Sequence, residues 1–439
     1  PMYDDWPLLE FPDLNHTVLD LFSRETGEEV ASRLLSEIVN DSNGNGNKNE
    51  VVVHTDDQLR WIMQVLNHSL SLPLSTERQY GSIRIAVQSY LHWLRSLTST
   101  IDSSIPRPLL ETPEQYFRNI LDALRSIFVR RKWMDTISIE RQAGLISSVL
   151  ETTRFITKNS REKYQDEVWS RSLSFSLNSS DLLLSPPIIP GDVSCHVGSA
   201  VIDSLFSLWM NAVAEERIPS PSYWRTLAVL SSKWRHHVTV IESWANKLLA
   251  LSVLVTRNVY GPDYCTIPVE DESLSAFSST SSIPVHTSVS CEMDIDERTK
   301  VLYELWQNMF SLIPSPKEIL RHVPVIEGGS TEKADQDQQK LCFFLAVTTI
   351  QRMVDIFYGD NRVSINMNEC EKYFKYNNKE APPPEPPPRR GPHSSAETRT
   401  FSSLSAGANT SNALSGSSSS TGPSRTNSDM KSHRTSRMS

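Results

Sequence analysis

Apolar residues recur every three or four positions along most of the first 360 or so residues, which is the spacing of one face of an α-helix. The pattern divides into about eleven runs separated by polar or proline-containing stretches. These runs begin near Val30, Leu59, Ile83, Phe117, Leu145, Val168, Val201, Leu227, Val238, Leu302 and Leu341. No stretch shows the strict alternation of a half-buried strand. The pattern predicts an all-α protein with helices of roughly 15 to 25 residues.

Three of the predicted helices are preceded by capping-box patterns, in which a threonine is followed three residues later by glutamate or glutamine. The pairs are Thr26 with Glu29, Thr55 with Gln58, and Thr112 with Gln115. Pro113 adds a proline at the first helical position, where its missing N–H is harmless.

Trp224, Trp234 and Trp244 follow one another at ten-residue intervals between the prolines near 220 and Gly261. Leu227 and Leu230 share a helical face with Trp234, and a second apolar face follows from Val238 onward. We therefore predict that the three tryptophans are structural and are buried where neighbouring helices stack.

Serial helices of this length are typical of an irregular HEAT- or armadillo-like helical-repeat solenoid, which we predict for residues 2–379. The spacing is irregular and no repeat signature is present, so a compact helical domain is the alternative. Polar segments at 40–50 and 268–284 are predicted as loop insertions that pack no apolar face. Residues 380–439, rich in Pro and then Ser, are predicted to be a disordered C-terminal tail, and we expect a longer parent chain.

Charge is distributed unevenly between these regions. Residues 380–439 carry seven Lys and Arg against four Asp and Glu, a net of +3, so the net charge of −9 leaves −12 for the body. An acidic body argues against nucleic acid as the main partner.

No run approaches the roughly 18 apolar residues of a membrane span, and no signal peptide is evident. Five scattered cysteines without a zinc spacing favour reduced thiols and a cytoplasmic location.

The polar residues of the body form no constellation of acid, base and nucleophile, so we predict no enzyme, no cofactor and no metal site. His236 and His237 are interpreted as capping a helix C-terminus, since adjacent residues point to different sides of a helix and no second ligand cluster accompanies them. The acidic runs at 270–272 and 294–297 are interpreted as solvated loops. The basic run at 130–132 is interpreted as a solvated helix end.

The tail contains two kinds of short motif. Pro384, Pro387 and Arg389 fit the P-x-x-P-x-R pattern of a polyproline helix that docks on an SH3 domain, although a stiff spacer has the same composition. Ser402 and Ser428 each follow an arginine by three residues, as basophilic kinases prefer. Phosphorylation there would add nearly two negative charges to a mildly basic segment.

Several short motifs, taken together and in order, resemble the amino-terminal region of RalGAP beta, the beta subunits of Ral GTPase-activating protein complexes. They are MYDDW at 2–6, LSLPL at 70–74, SIP at 104–106, TPEQY at 112–116, LLLSPP at 182–187, LFSLW at 205–209, PSYW at 221–224, WRHH at 234–237 and YGP at 260–262. Each is weak alone, and the likeness extends to about residue 357. The segments at 40–50 and 268–284 look like insertions relative to that family.

The resemblance implies a long helical body and a non-catalytic subunit that pairs with a catalytic RalGAP alpha subunit, which accelerates GTP hydrolysis by Ral-type small GTPases. No stretch of this chain resembles the GAP domain, so no catalytic residue is carried over. The leading hypothesis is a regulatory scaffold that binds the alpha subunit and acts on Ral indirectly. The alternative is an independent signalling or trafficking adaptor that works through the tail motifs.

Overall fold

The computed structural model describes residues 23–42, 53–99, 104–131, 135–187, 189, 191–277, 295–313, 315–321 and 332–368. Within these ranges the chain is helical with connecting turns and contains no β-strand. One isolated antiparallel bridge joins Thr98 and Ser160. The predicted all-α class is confirmed for this part of the chain.

The described ranges contain thirteen α-helices. They are α1 (Arg24–Ser42), α2 (Asp56–Ser71), α3 (Glu77–Trp93), α4 (Arg107–Glu111), α5 (Pro113–Leu124), α6 (Thr136–Asn159), α7 (Gln165–Leu184), α8 (Val193–Ala214), α9 (Pro221–Trp234), α10 (Val238–Tyr260), α11 (Ile295–Phe310), α12 (Lys317–Arg321) and α13 (Glu332–Phe357). Eleven of them correspond to the runs read from the sequence. The other two, α4 and α12, have only five residues each, too few to show a periodicity.

Two of the three predicted caps lie at helix starts. Thr55 accepts from the Gln58 amide while the Gln58 side chain accepts from the Thr55 amide, which completes the capping box of α2. Thr112 precedes Pro113 at the start of α5, but its side chain does not cap that helix. Thr26 lies inside α1, because the helix begins earlier and the Ser23 hydroxyl accepts from the Thr26 amide.

The helices pack mainly on neighbours that are close in the chain. The helix α1 packs on α2 and α3, α3 on α6, α6 and α7 on α8, and α8 on α10. Both α11 and α13 then pack on α10. The core therefore runs through successive layers, and α10, with fifteen buried residues, lies at the centre of the C-terminal layers.

Two helices, α8 and α10, are long and apolar enough to cross a membrane when judged by length and composition alone. Their most apolar windows are 56% and 78% buried inside the protein. Packing within the helical body accounts for the apolar composition of both helices.

The tryptophan prediction is confirmed for Trp234 and Trp244, whose side chains are fully buried. The Trp234 indole N–H donates to the Asp181 carboxylate at 3.1 Å, and the Trp244 indole N–H donates to the Met309 carbonyl at 2.8 Å. The prediction is wrong for Trp224, which is only half-buried. Its exposed side contributes to a groove described below.

The segment 268–284 does not behave as an unpacked insertion over its first ten residues. A 3-10 helix at Glu272–Phe277 buries Leu274 and Phe277 in the core. The Asp271 carboxylate pairs with the buried Lys247 ammonium at 2.5 Å. Of the segment 40–50, the first three residues end α1 and the rest lie outside the described residues, as do 278–284 and the whole tail 380–439.

Candidate partner-binding groove

One side of α9 is fastened to α7. At its start, the Tyr223 hydroxyl lies 3.2 Å from the hydroxyls of both Ser170 and Ser174. At its end, the Lys233 ammonium and the Trp234 indole both donate to Asp181 on α7. These contacts fix the rotation of α9 about its own axis, so they decide which side chains face away from α7.

The opposite side of α9 faces α11 across a groove, which we call the α9–α11 groove. The lining residues from α9 are Trp224, Ala228, Val229 and Ser232, with Arg235 just after the helix, and those from α11 are Val301, Glu304, Leu305 and Asn308, with Ser311 and Leu312 just after the helix. Residues three or four apart recur in both sets, so the groove follows both helices along their length.

The groove contains two cavities. One, of about 240 Å³, lies at the Trp224 end and is completed by Val213 and Ile218. The other, of about 480 Å³, lies at the Val229 end and is completed by Ile313 from the turn after α11. Five of the eight side chains that line the Trp224 cavity are apolar, and the Val229 cavity is lined by Ala228, Val229, Leu312 and Ile313 together with three serines, Arg235 and Glu318. Each cavity can receive an apolar side chain of a partner at its apolar part.

Trp224 and Val229 give the groove its apolar character. The Trp224 ring contacts Trp209 of α8 edge-to-face, with centroids 6.3 Å apart, and this contact holds the ring in place. Val229 is 67% exposed, a large fraction for a β-branched side chain in mid-helix. Glu216, Glu304, Glu318 and Arg235 also line the groove. The groove therefore combines exposed apolar side chains with charged ones, as protein-binding surfaces commonly do.

A cluster of polar contacts at the C-terminus of α7 corrects the interpretation of the basic run at 130–132. Arg130 is 11% exposed and donates to the carbonyls of Ser185 at 2.7 Å and Pro187 at 2.5 Å. Arg131 is buried and donates to the Leu72 carbonyl at 2.8 Å. Neither arginine forms a solvated helix end, since both guanidinium groups bind backbone oxygens of other elements. Residue 132 lies outside the described residues.

His237 joins the same cluster. Its Nε2 lies 3.0 Å from the carbonyl oxygen of Leu184, the last residue of α7, so this ring nitrogen carries the proton and donates. His237 thus binds the C-terminus of a helix, but that helix is α7 and not the helix α9 that it follows in the chain. Burial, and to a lesser extent the Arg130 charge, lowers the pKa of His237 to about 4, against the opposing effect of the hydrogen bond to Leu184. The ring is therefore neutral at pH 7.

This pKa predicts a loss of stability in acid. The unfolded state binds a proton at His237 below its ordinary pKa of 6.5, whereas the folded state binds one only near pH 4. Stability should thus be unaffected by this group above pH 6.5 and should fall as the pH drops from 6.5 to 4, by up to roughly 3 kcal/mol. We expect the free energy of unfolding of His237→Asn, measured by urea denaturation, to change less between pH 6.5 and 4 than that of wild type. His54→Asn, at an exposed histidine, is the matched control, and parallel profiles for wild type and His237→Asn would contradict the prediction.

Among the side chains that the structure describes, no group of three or more His, Cys, Asp or Glu could hold a metal ion. Asp271 is not part of a solvated loop. Burial disfavours its ionised form, but the Lys247 ammonium and the Ser273 donors outweigh this effect and lower the pKa of the Asp271 carboxyl. Of the run 294–297, residue 294 lies outside the described residues and the rest begins α11.

The residues predicted from tail motifs, Pro384, Pro387, Arg389, Ser402 and Ser428, all lie outside the described residues. The groove residues were not singled out from the sequence. A signal for them was nevertheless present, because Val229 is an apolar residue of α9 that lies off the face formed by Leu227 and Trp234. An apolar residue that lies off the buried face of its helix does not pack in the core formed by that face, so it is a candidate for contact with a partner.

Comparison with known proteins shows that the region containing the α9 side of this groove is similar to a known protein family. Residues 138–262 match the RALGAPB N-terminal domain, a span that runs from α6 to the end of α10 and includes the α9 wall. The chain is also 28% identical to Ral GTPase-activating protein subunit beta from human over 385 residues and from mouse and rat over 388 residues each. These alignments cover 82% of this chain. No solved structure gave a significant match.

The comparisons identify a RalGAP beta-like N-terminal region in this chain. The chain spans about a quarter of the length of these curated relatives, since each alignment covers 24% of the relative. The expectation that the likeness extends beyond single motifs is confirmed.

Proposed function

We propose that this chain is a non-catalytic regulatory scaffold of a heterodimeric GTPase-activating complex, in which it binds a catalytic RalGAP alpha subunit and so promotes GTP hydrolysis by Ral. The observation that carries the proposal is the match of residues 138–262 to the RALGAPB N-terminal domain. That span contains α9, one wall of the apolar groove. The similar relatives are named as a subunit of a Ral GTPase-activating protein, and a subunit acts through a partner.

We further propose that the helices form an irregular solenoid over residues 2–379. The packing order supports this reading, because α3 packs on α6, α6 on α8, α8 on α10 and α10 on α13. Stacked layers of this kind present extended surfaces, which suit contacts with another long helical protein.

The α9–α11 groove is the surface that we assign to the alpha subunit. Two neighbouring cavities that contain apolar side chains between two helices suit an amphipathic helix, whose apolar residues recur at a spacing of three and four. The glutamates of the groove lining would meet basic residues of that helix. The scaffold contributes to Ral inactivation in the cytoplasm by holding and stabilising the catalytic subunit, and it performs no chemistry itself.

The test is to place a charge in the groove without disturbing the core. Val229→Asp changes a residue that is 67% exposed, so the fold should be retained, but the carboxylate would be desolvated in the complex. We expect binding to a purified alpha subunit to weaken at least about tenfold. Ile137→Asp is the matched control, since Ile137 is 55% exposed and lies outside the groove lining.

Two readouts complete the experiment. The chain alone should not accelerate GTP hydrolysis by purified Ral, and cells lacking the protein should accumulate Ral-GTP and lose alpha subunit. Acceleration by the chain alone would overturn the non-catalytic role. Unchanged Ral-GTP together with unchanged alpha-subunit abundance would overturn the regulatory role. If Val229→Asp binds like wild type while both other results hold, the alpha subunit uses another surface.

The alternative function is an independent signalling or trafficking adaptor with the same helical body. In that case Pro384, Pro387 and Arg389 would bind an SH3 domain and Ser402 and Ser428 would be phosphorylated to regulate partners, all within the proposed disordered tail 380–439. Recovery of an SH3 protein without an alpha subunit would favour this reading.

A further inference from the structure

Three tyrosines form an exposed patch where α10 and α13 end side by side. The Tyr260 and Tyr264 rings lie 4.6 Å apart between centroids, tilted by 35°. The Tyr264 hydroxyl donates to the carbonyl of Phe357, the last residue of α13, at 2.7 Å. Tyr358 is the next residue and is 84% exposed, and Tyr260 is 59% exposed. We call Tyr260, Tyr264 and Tyr358 the tyrosine patch.

Two glycines bring these rings together. Gly261 ends α10 with φ +100° and Gly359 follows α13 with φ +77°, so both helices stop in conformations that favour glycine. At Gly359 a Cβ atom would lie 3.4 Å from Cζ of Tyr264. That is an ordinary van der Waals distance, so the positive φ, and not a lack of space, is what favours glycine at this position. The patch is built on two helix ends, which fix the backbone of the tyrosines, and the Tyr260 ring is held further by its contact with Tyr264.

The surroundings of the tyrosine patch are acidic. Asp263 lies in the turn between Tyr260 and Tyr264, and Asp355 lies one helical turn before Tyr358; neither has a counter-ion among the described residues. Asp360 is different, since Arg362 donates to both of its carboxylate oxygens at 3.0 Å. Two further arginines on α10 and α13 bind backbone carbonyls: Arg257 donates to those of Cys265 and Ile267, and Arg352 donates to that of Ser364. The C-terminal ends of two helices add further negative potential.

We propose that the tyrosine patch binds an arginine side chain carried by an extended segment of a partner protein. A guanidinium group can stack on a tyrosine face and at the same time donate to a carboxylate such as Asp263 or Asp355. A lysine ammonium is more strongly hydrated and lacks the planar fork, so it fits this arrangement less well. An acidic segment would be repelled, and a purely apolar one would leave the carboxylates without partners.

This inference goes beyond the proposed regulatory function and does not depend on it. The patch lies at the ends of α10 and α13, and none of its three tyrosines lines the α9–α11 groove. Its failure would leave the assignment of the groove intact.

The test is calorimetric titration of the full chain with the peptide acetyl-Arg-Pro-Pro-Arg-Pro-Pro-amide and with its lysine counterpart. Proline keeps the peptide extended before it binds. We expect saturable binding of the arginine peptide, and at least about threefold weaker binding of the lysine peptide. Tyr260→Ala and Tyr358→Ala should each weaken arginine-peptide binding about fivefold.

Tyr303→Ala is the matched control, because Tyr303 is 46% exposed on α11 and lies outside the patch. It should bind the arginine peptide like wild type. Asp263→Asn combined with Asp355→Asn should weaken both peptides. Thermal melting should show that Tyr358→Ala folds normally, as expected for so exposed a residue. The proposal is overturned by an absence of saturable binding, by equal binding of the two peptides, or by unchanged binding to Tyr358→Ala and Tyr260→Ala.

Discussion

Replacing Trp234 with alanine should lower the free energy of unfolding by about 3–5 kcal/mol. The side chain is fully buried where α9 meets α7, so its loss leaves a large cavity in addition to the lost burial of apolar surface. The indole N–H that donates to Asp181 is lost as well, although Lys233 still neutralises that carboxylate. Urea denaturation followed by circular dichroism measures the change.

Trp224→Ala provides the control for this prediction. Trp224 lies ten residues earlier in the same helix but is only half-buried, so its truncation should cost much less stability. It should instead weaken binding at the α9–α11 groove, which its ring lines. Similar stability for Trp234→Ala and wild type would show that the fold does not depend on the α7–α9 contact.

The helices were predictable because burial imposes a period that the sequence carries locally. Each apolar run needed only its own 12 to 26 residues to be recognised, and all eleven runs are helices. Trp234 and Trp244 could be placed in the core for the same reason, since each continues the apolar face of its own helix. Trp224 lies one turn before Leu227, so periodicity placed it in the core as well, but the groove beside α11 leaves its ring half-buried.

Polar contacts were not predictable in the same way, because their partners are distant in sequence. Arg130 and Arg131 look like a solvated basic run until Ser185, Pro187 and Leu72, some 55 to 59 residues away, come beside them. Asp271 and Lys247 are likewise brought together only by the fold. The sequence around a charged residue near a helix end does not indicate whether its side chain will be solvated or will bind a backbone carbonyl.

The groove and the tyrosine patch depend on tertiary structure in a further respect. Each is formed by two helices with other elements between them in the chain, α9 with α11 and α10 with α13. Sequence periodicity identifies the buried face of a helix. It does not show which surface sites the exposed residues form, such as Val229 and Tyr358, because those sites depend on which other helices lie beside them.

Replacing Arg130 with methionine should lower the free energy of unfolding by about 2–4 kcal/mol. Methionine keeps much of the volume of the side chain but removes both charge-assisted bonds, to the Ser185 and Pro187 carbonyls. It also removes the cation 4.0 Å from the buried carboxylate of Asp192, whose pKa is already raised by burial despite the Ser194 donors and the arginine. Unpaired polar groups in this partly enclosed cluster explain the expected size of the loss.

Two comparisons make the Arg130 prediction specific. Arg33→Met removes an arginine that is 79% exposed and pairs with Glu29 one turn away, so it should change stability by less than about 0.5 kcal/mol. The charge of Arg130 also helps to lower the pKa of His237. In Arg130→Met that pKa should therefore rise toward 6.5, and the loss of stability between pH 6.5 and 4 that His237 contributes should become smaller than in wild type. If Arg130→Met destabilises the protein but leaves this acid-dependent loss unchanged, the electrostatic effect of Arg130 on His237 is wrong, and Arg130 stabilises the body through its other contacts.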